Sequence, residues 1–274
     1  MKDYKALHNI GKQIIYNADC LILLKEIKNI DVIVTSPPYN IGVKYASYID
    51  ELPELDYLNW LKLIFAELKE CLKIDGSFFL NIGSTLNNPW IAFDVANVVR
   101  ETFHLQNHIV WAKSISIGEE SHGHFKPINS DRFLNHNFEH IFHFTKNNDV
   151  KLDKLSIGVP YADKSNIKRW NQKQDKRDKG NIWFVPYKTI KNRDKDKSGH
   201  PAIYPVELVK NCIKLHGITE NMVVLDPFVG QGTTLVACEQ LGVDGIGIEI
   251  DENYYEAACD NIERIVKNDR ARNG

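Results

Sequence analysis

Apolar and polar positions change period repeatedly along this chain. Gln13-Ile14-Ile15-Tyr16 is the first strand-like run, and Asn17-Ala18-Asp19 follows it. Cys20 to Lys28 has helical apolar spacing. Asp31-Val32-Ile33-Val34-Thr35 is a short β-branched run of the kind a buried strand makes. It stops at Ser36-Pro37-Pro38, where two prolines forbid further ladder pairing. From Leu55 to Leu72 apolar residues recur at three- and four-residue steps, which predicts an amphipathic helix. Strands are predicted over 77–82, 108–112 and 138–145, with a helix over 90–103.

The pattern dissolves between about Asn147 and His200, a polar, basic stretch with only short apolar pieces such as Asn181-Ile182-Trp183-Phe184-Val185-Pro186-Tyr187. It returns with a helix over 205–215, Pro205 suiting the first helical position. A strand over 222–226, a helix over 233–241, a strand over 245–250 and a helix over 253–267 follow. Strands alternating with helices predict an α/β fold with a doubly wound, mostly parallel sheet. Residues 1–146 and 199–274 read as two halves of one domain, and 147–198 as an insertion into it.

Composition changes this picture little, and charge changes it locally. The 274 residues are 43% apolar and 26% charged, ordinary values for a globular protein. No apolar run reaches the roughly 18–20 residues of a membrane span, and Met1-Lys2-Asp3-Tyr4-Lys5 has no signal-peptide core behind it. Cys20, Cys71, Cys212, Cys238 and Cys259 form no C-x-x-C pair. Together these features predict a cytoplasmic protein with reduced thiols. The net charge of −2 hides an asymmetry, because Lys151 to Ser198 carries 14 Lys and Arg against 6 Asp. A block at +8 within a chain otherwise at −10 is either a polyanion contact or a solvated charged loop.

Two loops carry chemistry. Asp226-Pro227-Phe228-Val229-Gly230-Gln231-Gly232-Thr233-Thr234 lies between a predicted strand and helix, where α/β sheets bind ligands. Leu235 stands where a dinucleotide fingerprint has glycine, and no Lys follows Gly232 as in a P-loop. Downstream, Gly245-Ile246-Gly247-Ile248-Glu249 ends a strand with a carboxylate able to accept hydrogen bonds from ribose hydroxyls. The pair points to a nucleoside-containing ligand with no phosphate requirement, and S-adenosylmethionine fits. The second loop is Thr35-Ser36-Pro37-Pro38-Tyr39-Asn40. Taken alone it is a rigid turn ending a strand. It also offers Ser36 Oγ and the Pro37 carbonyl as acceptors for the two N–H groups of an exocyclic amine, and Tyr39 as a flat face for an extruded base.

In combination these segments resemble the β-group of DNA amino-methyltransferases. In that family the Ser/Asp-Pro-Pro-Tyr loop precedes the Phe-x-Gly-x-Gly loop, as Ser36–Tyr39 precedes Phe228–Gly232 here. Protein-glutamine methyltransferases have the opposite order. Asn17-Ala18-Asp19-Cys20 resembles the stretch near the cofactor's adenine. Trp111-Ala112-Lys113 and Glu139-His140-Ile141-Phe142-His143-Phe144-Thr145-Lys146 resemble the family's middle strands. Ser198-Gly199-His200-Pro201-Ala202-Ile203-Tyr204-Pro205 resembles the segment closing over the methionine end.

The resemblance implies a Rossmann-like methyltransferase domain with a small target-recognition insertion at 147–198. It implies catalytic Ser36, Pro37, Pro38 and Tyr39. It places Asp19, Cys20, Thr35, His200, Pro201, Asp226, Pro227, Phe228, Gly230, Gly232, Thr233, Thr234 and Glu249 at the S-adenosylmethionine site. Duplex DNA is the implied partner, with Lys164, Lys168, Arg169, Lys173, Lys176, Arg177 and Lys179 on its phosphates. A cognate restriction endonuclease fits the family's restriction–modification members. Monomer and homodimer both stay open.

No metal is expected: His122, His124, His140 and His143 read as surface or DNA-facing residues, and the loop from Gly118 to His136 as a further DNA contact. Trp170 and Trp183 read as packing residues. Ser at the first loop position, and Tyr204 where adenine enzymes usually carry Lys, favour cytosine N4 over adenine N6. A non-catalytic DNA-binding protein on the same fold would show damage in one of the two loops, and neither is damaged.

Overall fold

The structure is a computed structural model describing residues 5–40, 51–124, 127–186 and 204–273, with side chains to residue 267. Among the described residues, eleven strands and seven helices run in the order β1 (Ala6–Ile10), β2 (Gln13–Asn17), α1 (Cys20–Leu23), β3 (Ile30–Thr35), α2 (Glu54–Cys71), β4 (Leu72–Ile82), α3 (Ile91–Arg100), β5 (His104–Ala112), β6 (Ser114–Ile117), β7 (Glu120–Gly123), β8 (Phe138–Thr145), α4 (Ser165–Arg169), β9 (Ile182–Phe184), α5 (Val206–His216), β10 (Val223–Asp226), α6 (Thr233–Leu241), β11 (Asp244–Glu249) and α7 (Glu252–Asn273).

Nine strands form one sheet in the order β1-β2-β11-β10-β3-β4-β8-β5-β9. The stretch β2-β11-β10-β3-β4 is parallel throughout, while β8 runs antiparallel to both neighbours. The chain departs from the centre in both directions, β10 leading to β11 and β3 to β4, so a crevice opens at the carboxyl ends of β10 and β3. The strict two-residue alternation of a strand feeds two cores. Ile33, Phe78, Leu80, Phe142 and Leu225 face α1, α2 and α3, whereas Val32, Val34, Phe79, Ile141 and Val224 face α5 and α6.

Several elements depart from the expectations. The helix expected over 20–28 ends at Leu23, after which the backbone continues in single turns up to Asn29 at φ 62. Pro205 stands at the N-cap of α5 rather than in its first turn. The insertion is not wholly apart from the sheet, because β9 pairs in parallel with β5 and carries Trp183 into the second core. Trp183 is buried as a packing residue, but Trp170 is 63% exposed at the end of α4 and packs in no core. Among the described residues no helix is long and apolar enough to cross a membrane.

Candidate active site

The two loops, nearly two hundred residues apart in sequence, leave adjacent strands. Thr35 ends β3 and donates Oγ1 to Asp226 Oδ1, at the end of β10, over 2.6 Å. Asp226 is fully buried and also accepts from Phe228 N at 3.0 Å, Thr234 Oγ1 at 2.5 Å and Tyr204 Oη at 2.9 Å. Burial pushes its carboxyl pKa up, and these four donors oppose that shift. Thr35 and Asp226 therefore act as the brace beneath the site, joining the two loops. Tyr204, just before α5, is part of the same brace.

The glycine loop needs glycine for two separate reasons. Gly230 and Gly232 have φ 52 and φ 86, in the left-handed region. A Cβ on Gly232 would also fall 3.1 Å from Ala258 Cβ on α7. Pro227 lies between Asp226 and half-buried Phe228, and Trp60 of α2 covers the Phe228 ring at 5.6 Å between centroids. Thr233 and Thr234 open α6, Thr234 turned inward to Asp226. Glu249, at the end of the neighbouring β11, accepts from Gly230 N and from Asp251 N, each at 2.9 Å. Burial raises its carboxyl pKa to about 7, although both N–H groups pull it down. Asn17 lies opposite Glu249 in the β2–β11 ladder. This brings Asp19, the N-cap of α1, and buried Cys20 to the same edge, and burial followed by the charge of Asp19 pushes the Cys20 thiol up.

The Ser-Pro-Pro-Tyr segment is clamped on both flanks. Tyr57 Oη of α2 donates to the Pro38 carbonyl at 2.7 Å. Asn40, at φ 54, exchanges two 2.7 Å bonds with the Leu52 backbone. Pro37 is buried and Ser36 is half-buried. Ser36 Oγ donates to Tyr39 Oη at 3.1 Å, and Tyr39 Oη donates to Glu139 Oε2 at 3.2 Å. With Pro38 engaged by Tyr57, Ser36 Oγ and the Pro37 carbonyl are the acceptors this segment offers. Periodicity gives Tyr57 and Trp60 only as members of a helix. Their ring-to-loop contacts come from the sheet order, which no spacing rule reads.

His200 and Pro201 lie outside the described residues. The expectation for His140 and His143 is corrected: both are buried in β8 and neither presents its ring at the surface. β8 lies inside the sheet between β4 and β5, and its two faces pack into different cores, Phe142 and Phe144 into the first and Ile141 into the second. His143 bonds Asn107 and Ser77 at 3.0 Å each, and burial lowers its pKa to about 3, keeping it neutral. His122 and His124 are exposed, His122 on the β6–β7 hairpin and His124 just after it, beyond the carboxyl end of β5. Among the described residues no three His, Cys, Asp or Glu side chains group as metal ligands do.

The basic residues divide. Lys164 pairs with Asp175 at 2.5 Å, Lys176 Nζ donates to Leu155 O at 3.3 Å, and Lys179 Nζ lies 5.4 Å from the Trp183 ring centre. Arg177 is tied into the loop by backbone pairing with Val159. Lys168, Arg169 and Lys173 are exposed and make no side-chain bond with other described residues.

Comparison with known proteins gives these features a setting. The N6/N4 methyltransferase family, described as DNA methylase, matches residues 30–260. The type II methyltransferase M.ScaI of Streptomyces caespitosus is 27% identical, covering 94% of this chain and 84% of its own. The DNA adenine methyltransferase YhdJ of Escherichia coli K12 is 30% identical, covering 90% of this chain and 81% of its own. Among solved structures, the cytosine-N4-specific PvuII DNA methyltransferase superposes with a TM-score of 0.68 at 18% identity, over 96% of this chain and 95% of that one. A Thermus thermophilus protein described as a DNA modification methylase, complexed with S-adenosyl-L-methionine, superposes with a TM-score of 0.61 at 20% identity, over 90% and 92%.

Proposed function

The chain belongs to the N6/N4 family of DNA methylases, and from that premise we propose that it transfers a methyl group from S-adenosylmethionine to the N4 amine of a cytosine flipped out of duplex DNA. The observation that carries this reading is the meeting of two intact loops on adjacent strands, an amine-accepting Ser36-Pro37 pair beside a glycine loop with its strand-end carboxylate.

The residues present suit S-adenosylmethionine. Glu249 has acceptor capacity left for ribose hydroxyls after taking one N–H on each oxygen. The loop from Asp226 to Thr234 carries no Lys or Arg for a phosphate. Asp19 and Cys20 stand at the adenine edge, Phe228 and Gly230 along the loop. When bound, the cofactor supplies a sulfonium-activated methyl group. Ser36 Oγ and the Pro37 carbonyl hold the target amine by its two hydrogens, which aims the nitrogen lone pair. Tyr39 stacks on the extruded base, and the two proline rings keep the acceptors fixed, so the gain is positional and electrostatic. Tritiated methyl from the cofactor is expected to appear in duplex DNA with wild-type protein and far more slowly with Ser36→Ala. Label absent from DNA in both cases would sink the reading.

Two signs favour cytosine, Ser36 at the first loop position and Tyr204 ahead of Pro205. Adenine N6 is the second reading, favoured by the 30% identity to an adenine methyltransferase. The type II names of several relatives support a place beside a restriction endonuclease of the same sequence specificity.

Glu249 gives the cofactor step a pH dependence. Only its carboxylate accepts two ribose hydroxyls, and its free pKa is about 7. Cofactor binding favours the ionised form, so affinity rises as pH rises through that value. Titration at pH 6 is expected to give a dissociation constant about tenfold weaker than at pH 8, and Glu249→Gln to flatten the profile. An unchanged wild-type constant across that range would refute the assignment.

The basic insertion is the proposed DNA grip. Alanine at Lys168, Arg169 or Lys173 is expected to weaken binding to all duplexes alike and reduce the salt slope by about 0.9 each. Lys164→Ala, already paired with Asp175, is expected to reduce it by less. Filter-binding titrations across salt concentrations read both, and wild-type slopes in Lys168→Ala, Arg169→Ala and Lys173→Ala would place DNA elsewhere.

A further inference from the structure

Ser36 has one hydroxyl hydrogen and two lone pairs. A target amine brings hydrogens of its own, so Ser36 serves it only when its own hydrogen points elsewhere. Tyr39 Oη takes that hydrogen at 3.1 Å. Tyr39 then turns its proton to Glu139 Oε2 at 3.2 Å. A carboxylate has no hydrogen to give, and this fixes the direction of the whole chain from Ser36 to Glu139.

Glu139, at the start of β8, is held from three sides. Lys113 Nζ, just beyond β5, pairs with its Oε1, and both side chains are mostly buried, at 19% and 16% exposure. Asn81 of β4 donates Nδ2 to Glu139 Oε2 at 3.0 Å and to the His140 carbonyl at 3.1 Å. Gly83 leaves room for the Glu139 stem, since a Cβ there would fall 2.9 Å from Glu139 Cγ. Burial, and then the charge of Glu139, hold the Tyr39 phenol well above the ordinary range, so its proton stays in place.

We propose that Glu139, fixed by Lys113 and Asn81, is a positioning residue for methyl transfer: acting through Tyr39, it makes Ser36 Oγ an acceptor aimed at the target amine. This rests on the methyl-transfer reading above and adds to it a relay drawn from three further strand regions. A serine at the first loop position needs such a relay, because its hydroxyl is otherwise free to point its hydrogen at the incoming amine.

Wild type, Tyr39→Phe, Glu139→Gln and the double variant are compared in single-turnover methylation of duplex DNA, with dissociation constants for cofactor and DNA and a melting curve for each. Tyr39→Phe keeps the stacking ring and removes one hydroxyl. Its rate is expected to fall about tenfold while both dissociation constants stay within about twofold. Glu139→Gln, whose amide can donate back to Tyr39, is expected to lose as much, and the double variant no more than either single one. An unchanged rate in Tyr39→Phe overturns the proposal, as does a double variant in which the losses multiply. If Glu139→Gln fails to fold, Tyr39→Phe decides alone. An inactive wild type overturns the methyl-transfer reading and the relay together, whereas an active wild type with an unaffected Tyr39→Phe overturns only the relay.

Discussion

Ser36→Ala is expected to cut the methylation rate by about 10²- to 10³-fold and to leave the cofactor dissociation constant within about twofold of wild type. The reason is one of place. Ser36 follows β3, and its hydroxyl contacts Tyr39, whereas the cofactor loop follows β10. The brace between the loops runs from Thr35 to Asp226 and does not involve the Ser36 side chain. The Pro38–Tyr57 and Asn40–Leu52 bonds hold the loop whether or not the hydroxyl is there. What is lost is one acceptor for the amine in a partly buried setting. Single-turnover methylation and a calorimetric cofactor titration on one preparation separate the two effects. A fall in cofactor affinity as large as the fall in rate would contradict the role given to Ser36.

Glu249→Ala is expected to do the reverse. Two charge-assisted bonds to ribose disappear, and the Gly230 N–H loses its partner. At about 1.5 kcal/mol for each bond to a charged group, cofactor binding weakens about a hundredfold. The fold is expected to persist, because removing this carboxylate also removes a buried charge whose pKa sits at about 7. Calorimetry reads the affinity and a melting curve the fold. Wild-type affinity in the variant would remove Glu249 from the cofactor site.

Much of this is legible in the chain itself. β3, α2, β8, β10, α6 and β11 follow from runs whose period matches their burial, as in Val32 and Val34 on one face against Ile33 on the other. The two loops are legible because proline and glycine restrict or free the backbone in ways no neighbour can override. β1 escapes because three of its five residues are exposed, leaving no alternation to read. Its one local clue is Gly11, at φ 58 in the turn to β2. β9 escapes because a three-residue edge strand in a basic segment has too short a pattern. His140 and His143 are misplaced by sequence because histidine content does not reveal that both faces of β8 are packed into the cores. Glu139, Lys113 and Asn81 come together only through the β4-β8-β5 pairing, so the fixing of Glu139 and its bond to Tyr39 are invisible in sequence. Asp226 and Thr35 are expected at the ligand site, and the structure brings out their mutual bond beneath it.

The most direct test of the central claim is the identity of the methylated nucleoside. Wild-type protein is incubated with sequence-diverse duplex DNA and methyl-labelled S-adenosylmethionine, and the DNA is digested and its nucleosides are separated. The account predicts label in N4-methylcytosine. Label in N6-methyladenine would contradict the choice of base, and label in no nucleoside would contradict methyl transfer to DNA itself.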